Sequence, residues 1–241
     1  MTVVEVQNLS KKFRLYHERT HSLKERLLRT GRNVYEEFWA LKDVSFGVNK
    51  GESLGVIGAN GSGKSTLLKI ISKIYYATEG SVKTNGKVVA LLELGSGFQP
   101  DLTGRENIYL NGSILQLTKE QLNRKFDEIV QFSELEKFID IPLRNYSSGM
   151  QVRLGFSVAI NVNADILLID EVLAIGDESF QRKSGNKIFE FLKDGKTVIF
   201  VSHNLEAVKK LCTRAIWLNK GKIAIEGNTE EVVNAYLATV K

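Results

Sequence analysis

Short apolar runs alternate with longer amphipathic ones along this chain, and the period of each run points to what it forms. Residues 3–6 and 44–48 are rich in β-branched and aromatic side chains and predict strands, and Ser53–Ile57 (SLGVI) predicts a short buried one. Residues 64–72 place Leu67, Leu68, Ile70 and Ile71 on one helical face. Across residues 80–94, two short alternating runs flank Asn85-Gly86, and the spacing predicts a hairpin because Asn-Gly suits the positive-φ positions of a tight turn. Residues 104–161 read as mostly helical, broken near Pro142, and are expected to form a helical subdomain of about residues 100–161 inserted into a sheet domain.

The α/β alternation then resumes. Residues 166–169 and Thr197–Val201 predict buried strands, with a helix over 180–192 between them. Arg214–Asn219 and residues 222–226 predict a closing hairpin around Lys220-Gly221, and residues 229–238 a terminal helix. The expected fold is α/β, with a parallel-sheet core completed by discontinuous pieces. No internal repeat or low-complexity linker interrupts it.

Composition narrows the picture modestly. The 241 residues, 43% hydrophobic and 25% charged, suit one large core with a subdomain and are too few for two such domains. No apolar run approaches the ~20 residues that cross a bilayer. The start, MTVVEVQNLSKKF, lacks the apolar run and cleavage site of a secretory signal, so a cytoplasmic location is expected. Cys212, the single cysteine, excludes an internal disulfide and a cysteine-based metal site, and reads as a small apolar residue on a helix face. The net charge of +5 fits a solvated surface, or a nucleic-acid or anionic-membrane partner. The basic residues nevertheless bunch early, at Lys11, Lys12, Arg14, Arg19, Lys24, Arg26, Arg29 and Arg32.

Candidate chemistry centres on GANGSGKST, residues 58–66, which fits G-x-x-x-x-G-K-[ST] between a buried strand and an amphipathic helix. Glycines at 58, 61 and 63 let the backbone of Asn60, Ser62 and their neighbours wind so that N–H groups point at phosphate oxygens. The helix start, with Thr66 in its first turn, adds its positive dipole end. Lys64 supplies a cation for the β- and γ-phosphates, and Ser65 a hydroxyl for Mg²⁺. ATP and Mg²⁺ are the expected ligands. Such a site needs a carboxylate at the end of a neighbouring apolar strand, and ILLID ends at Asp170. Glu171 follows directly, where a carboxylate can take a proton from an attacking water.

These features, with YSSGMQ (residues 146–151) and VSHN (residues 201–204), resemble the ATP-binding subunits of ABC transporters over nearly the whole chain. The resemblance implies a P-loop, RecA-like core with an antiparallel β subdomain and a helical insertion, all within one nucleotide-binding domain of residues 1–241. It implies that Gln99 senses Mg²⁺ and faces a transmembrane permease subunit, that His203 contacts the γ-phosphate, and that Asp177 communicates across a homodimer. Ser147, Ser148 and Gly149 open an apolar helix, where hydroxyls and free N–H groups make an anion site. In the family that site closes on ATP held by the opposite subunit. Phe13 matches the position of an aromatic ring against adenine; Tyr16 is a rival, and core packing is an alternative for Phe13.

Two departures point to a branch of the family. The signature reads YSSGM where LSGGQ is commonest, and VLAIGD follows Glu171 where PTSALD is usual. With LLELGSGFQPDLTGRENIYLNG (residues 91–112), these variants look like bacterial exporters of O-antigen, capsule and teichoic acid, which act on the inner face of the cytoplasmic membrane and move lipid-linked polysaccharide. An extra basic segment over residues 18–38 carries Ser22 and Glu25 in a capping-box pattern ahead of Leu23, Leu27 and Leu28. It predicts a short amphipathic helix near the permease, the membrane or a glycan pyrophosphate, or else a solvated excursion. The other readings are a soluble ABC ATPase acting on ribosomes or nucleic acid, which usually carries two cassettes or a long coiled coil, and an importer subunit. No nucleic-acid partner is expected.

Overall fold

The computed structural model describes residues 1–16, 35–92, 94–170 and 177–239. Its centre is a sheet of six strands in the order β5-β6-β7-β3-β8-β9, namely Val88–Leu91, Ile166–Asp170, Thr197–Val201, Ser53–Ile57, Arg214–Asn219 and Lys222–Asn228. All neighbours pair in parallel except β8 and β9, the antiparallel hairpin expected around Lys220-Gly221.

Parallel strands covered on both faces read as continuous apolar runs whose alternate residues enter different cores. In β6, Leu167 and Ile169 pack into one apolar cluster and Ile166 and Leu168 into the other; in β7, Val198 and Phe200 are separated in the same way from Ile199 and Val201. The first cluster lies against α2 (Gly104–Ile114), α3 (Lys119–Ser133), α4 (Ser148–Ile160), α5 (Glu178–Lys193), α6 (Leu205–Leu211) and α7 (Thr229–Thr239). The second fills the space among the sheet, α1 (Lys64–Ile71) and a three-stranded antiparallel sheet in the order β2 (Tyr35–Asn49), β1 (Thr2–Tyr16), β4 (Glu79–Thr84).

That smaller sheet differs from expectation in two ways. β1 (Thr2–Tyr16) and β2 (Tyr35–Asn49) are far longer than their apolar stretches. Register shifts carry the ladder past positive-φ Asn8 and Asp43, whose side chains hydrogen-bond each other at 2.9 Å. Residues 35–38, assigned from sequence to the extra basic segment, are strand paired with residues 13–16; the helix expected at Ser22 to Leu28 lies outside the described residues.

The second correction concerns Asn85-Gly86. The turn is present, but β4 (Glu79–Thr84) pairs with β1 and β5 pairs with β6, so it joins two sheets instead of closing a hairpin. Asp165, just before β6, accepts the Lys87 N–H at 2.8 Å, and a Cβ on Gly86 would lie 2.8 Å from the Asp165 Cβ. Pairing across the chain overrides the local turn preference.

Among the described residues, no helix is long and apolar enough to cross a membrane.

Candidate nucleotide site

β3 ends at Ile57, and the backbone must then reverse into α1 within six residues. Gly58 (φ 148°) and Gly63 (φ 108°) make this possible. Side chains there would also collide: a Cβ on Gly58 would lie 2.2 Å from the Leu218 carbonyl oxygen, and one on Gly63 2.5 Å from that of Ala40. Gly63 is the N-cap of α1 and offers no side-chain acceptor, so the first-turn N–H groups carry no side-chain cap. The Lys220-Gly221 turn braces the loop from beneath, since Gly221 N–H donates to the Ser62 carbonyl and its own carbonyl accepts Lys42 N–H.

Lys64 is only 7% exposed, and its ammonium donates to the carbonyl oxygens of Gly58 (2.8 Å) and Ala59 (3.0 Å). A buried cation held by its own loop is a preformed anchor for phosphate. The cavity above it, about 570 Å³, is lined by Asn60, Gly61, Gly63, Lys64, Ser65 and Thr66 of the loop and helix start. Asp170 from β6, Leu92, and Phe13, Phe38 and Ala40 from the small sheet complete the wall. Asp170 was expected on a strand neighbouring the loop's own, but β7 lies between β3 and β6. The carboxylate still reaches the cavity because parallel strands end on one edge of the sheet.

Phe13 and Phe38 are directly paired across β1 and β2. Phe13 packs edge-on against Tyr75 with ring centres 5.7 Å apart, and the Lys11 ammonium sits 5.1 Å from its centre. Tyr16, the rival from sequence, instead meets Tyr35 at 5.8 Å and does not line the cavity. Phe38 was missed in the sequence, where EEFWA shows no alternation that would single it out.

Other expected site residues stand elsewhere. Gly58 and Ser62 are buried in the loop, and the Ser62 hydroxyl lies beside Gly58 without a hydrogen-bond partner among the described residues. Gln99 is exposed, its backbone bonded through N–H and C=O to the Asn107 amide, and it is absent from the lining. His203, after β7, borders a separate groove with α5 and α6. Ser147 and Ser148 are exposed at the start of α4, where the Ser147 hydroxyl accepts the Met150 N–H at 3.2 Å. Gly149 meets nothing nearer than that hydroxyl, at 3.9 Å from a Cβ position. Glu171 lies outside the described residues.

Tyr146 has a physical reason to depart from the commoner leucine. It is buried, its hydroxyl donates to the Phe138 carbonyl at 2.7 Å, and burial pushes its pKa up to about 12. The start of α4 is thereby tied to the connection between α3 and α4. Asp177, the N-cap of α5, accepts the Phe180 N–H at 2.9 Å; that bond, with a contribution from Arg153, holds its carboxyl below the usual range.

The donor set suits a hard divalent cation. Ser65 and Asp170 present two oxygen ligands in the same cavity as Lys64, which leaves positions for water and phosphate oxygens. Among the described residues, no cluster of three or more His, Cys, Asp or Glu side chains forms an all-protein metal cage.

Residues 41–174 match the ABC transporter family model. The O-antigen export system ATP-binding protein RfbB of Klebsiella pneumoniae is 44% identical over 238 residues, covering 97% of this chain and 97% of the relative. The teichoic acids export ATP-binding protein TagH of Lactococcus lactis is 43% identical over 234 residues, covering 97% of this chain and 50% of that protein. Among solved structures, the dimeric post-hydrolysis state of the ATP-binding cassette MJ0796, bound to ADP and Pi, superimposes with a TM-score of 0.73 at 26% identity. That match covers 94% of this chain and 98% of the other.

Proposed function

Because this chain belongs to the ABC transporter family and is an ATPase of that family, we propose that it powers export of a lipid-linked polysaccharide through a separate transmembrane permease. The observation that carries the reading is 44% identity, end to end, with an O-antigen export ATP-binding protein. The nucleotide-sized cavity around Lys64 supports the same conclusion.

In this account the adenine rests on Phe13 and Phe38, the loop N–H groups and Lys64 hold the phosphates, and Ser65 and Asp170 would hold Mg²⁺. Bound there, the ion would draw negative charge from the phosphate oxygens. Glu171 takes a proton as water attacks the γ-phosphorus; the bond to the bridging oxygen breaks, and ADP and phosphate leave. The exposed starts of α4 and of the His203 segment complete the site from outside the cavity, Ser147, Ser148 and Gly149 doing so on ATP held by a second copy. His203 contacts the γ-phosphate and Gln99 relays the state of the site to the permease. The protein works as a homodimer on the cytoplasmic face of a bacterial inner membrane.

The test is the ATPase rate of the purified chain, alone and with its permease in lipid bilayers, upon addition of lipid-linked polysaccharide and, separately, RNA. Turnover that responds to permease and glycan is the expected result. A response to RNA alone would replace this reading with that of a soluble ATPase acting on nucleic acid.

A further inference from the structure

Phe13 stands where the small sheet has narrowed by one strand. The β4 ladder along β1 ends where Ser10 pairs with Glu79, so among the described residues Phe13 belongs to a two-stranded ribbon with β2. An isolated ribbon of two strands is only marginally stable. The Phe13 ring is met instead by the chain that follows α1. Tyr75 lies edge-on to it at 5.7 Å, with the ring planes at 71°. The Lys11 ammonium stands 5.1 Å from the Phe13 ring centre and 5.7 Å from that of Tyr75, and donates to the Tyr76 carbonyl at 2.8 Å. Phe13 lines the cavity, whereas Tyr75 and Lys11 do not.

The way α1 ends fixes Tyr75 in turn. Lys73 takes the left-handed conformation (φ 63°), and the N–H groups of Ile74 and Tyr75 both donate to the Lys69 carbonyl, at 2.8 and 2.9 Å. The Lys69 ammonium lies 5.6 Å from the Tyr75 ring centre. Tyr75 is 36% exposed and belongs to neither apolar core, so its ring serves Phe13 more than the fold. α1 thus carries the phosphate grip in its first turn, at Lys64, Ser65 and Thr66, and the support of Phe13 just past its last. We propose that Tyr75 is a positioning residue for the nucleotide base: its ring, with Lys11 beside it, sets where Phe13 stands relative to the phosphate loop. The inference rests on the role given above to Phe13. An edge-to-face pair holds one ring at a defined angle to the other, so Tyr75 acts without touching nucleotide.

The experiment measures kcat and KM for ATP in Tyr75→Ala, Tyr75→Phe, Phe13→Ala and the double variant Tyr75→Ala/Phe13→Ala. Inhibition by inorganic triphosphate, which has the phosphates and no base, is measured alongside. We expect Tyr75→Ala to raise KM roughly 2- to 13-fold, as loss of an aromatic pair would. The kcat changes less than about twofold, and triphosphate inhibition is unaltered. Tyr75→Phe keeps the ring and restores affinity. The double variant has a KM no higher than Phe13→Ala, because Tyr75 acts only through Phe13. The proposal is overturned if Tyr75→Ala keeps the wild-type KM while Phe13→Ala raises it, if the two single effects multiply, or if triphosphate inhibition weakens in step with ATP. An unaltered KM in Phe13→Ala would instead remove Phe13 from the base site, so the two failures are separable.

Discussion

Phe13 and Phe38 face each other across two antiparallel strands and together form the aromatic end of the cavity whose other end holds Lys64. Stacking a base on an aromatic ring contributes ~1–3 kcal/mol. Phe38→Ala should therefore raise KM for ATP roughly 5- to 150-fold while kcat stays within about twofold, because the lost contact is equal in ground and transition states. Phe38→Tyr should restore binding, and Tyr16→Ala should leave KM unchanged. Steady-state kinetics decides the point, and an unaltered KM in Phe38→Ala would remove Phe38 from the base site.

The phosphate loop tolerates side chains unevenly. A Cβ on Gly58 would press into the Leu218 carbonyl oxygen of β8, whereas one on Gly61 (φ 77°) would meet nothing within 4 Å. Gly61→Ala should cost about 1–2 kcal/mol, the left-handed backbone penalty alone. Gly58→Ala adds displacement of a core strand and should cost clearly more. Denaturant midpoints at constant m-value measure both, and equal losses would contradict the packing described here.

Cys212 is buried at the end of α6, and burial pushes its thiol up to about 12. The unfolded chain loses this proton near pH 8.5. The folded-state pKa is the higher one, so its contribution is fully present below pH 8.5 and is lost as pH rises toward 12. Between pH 8.5 and 9.5 the loss should be about 1 kcal/mol, and Cys212→Ala should abolish this part of the alkaline decline. Urea unfolding at the two pH values is the check; an identical decline in both proteins would show that the thiol plays no part.

Local chemistry was legible in the sequence where structure is local. The spacing of Gly58, Gly63, Lys64 and Ser65 dictates a strand, loop and helix over a dozen residues, and the β6 run leads unbroken to Asp170, so the loop and its acid were found without tertiary information. Phe38 was hidden because its role depends on the register between β1 and β2. At that end both strands are polar enough, as KKFRLY and YEEFW, to show no buried face. The Asn85-Gly86 turn misled for a related reason: a turn preference fixes how the chain reverses but not which strand it then joins, and Asp165 together with the β6 edge settled that. His203, Gln99 and the start of α4 do not line the cavity in one chain, and the roles proposed for Gln99 and for the start of α4 involve a permease and a second copy.

The central claim is that ATP hydrolysis at this site drives polysaccharide across a membrane, and it is tested most directly by transport itself. The chain is reconstituted with its permease in vesicles so that the nucleotide site faces outward, and lipid-linked polysaccharide is supplied outside. Polysaccharide accumulating in the lumen only with ATP, and not with Glu171→Gln or Lys64→Ala, is the predicted result. Accumulation at the wild-type rate with either variant would contradict the account.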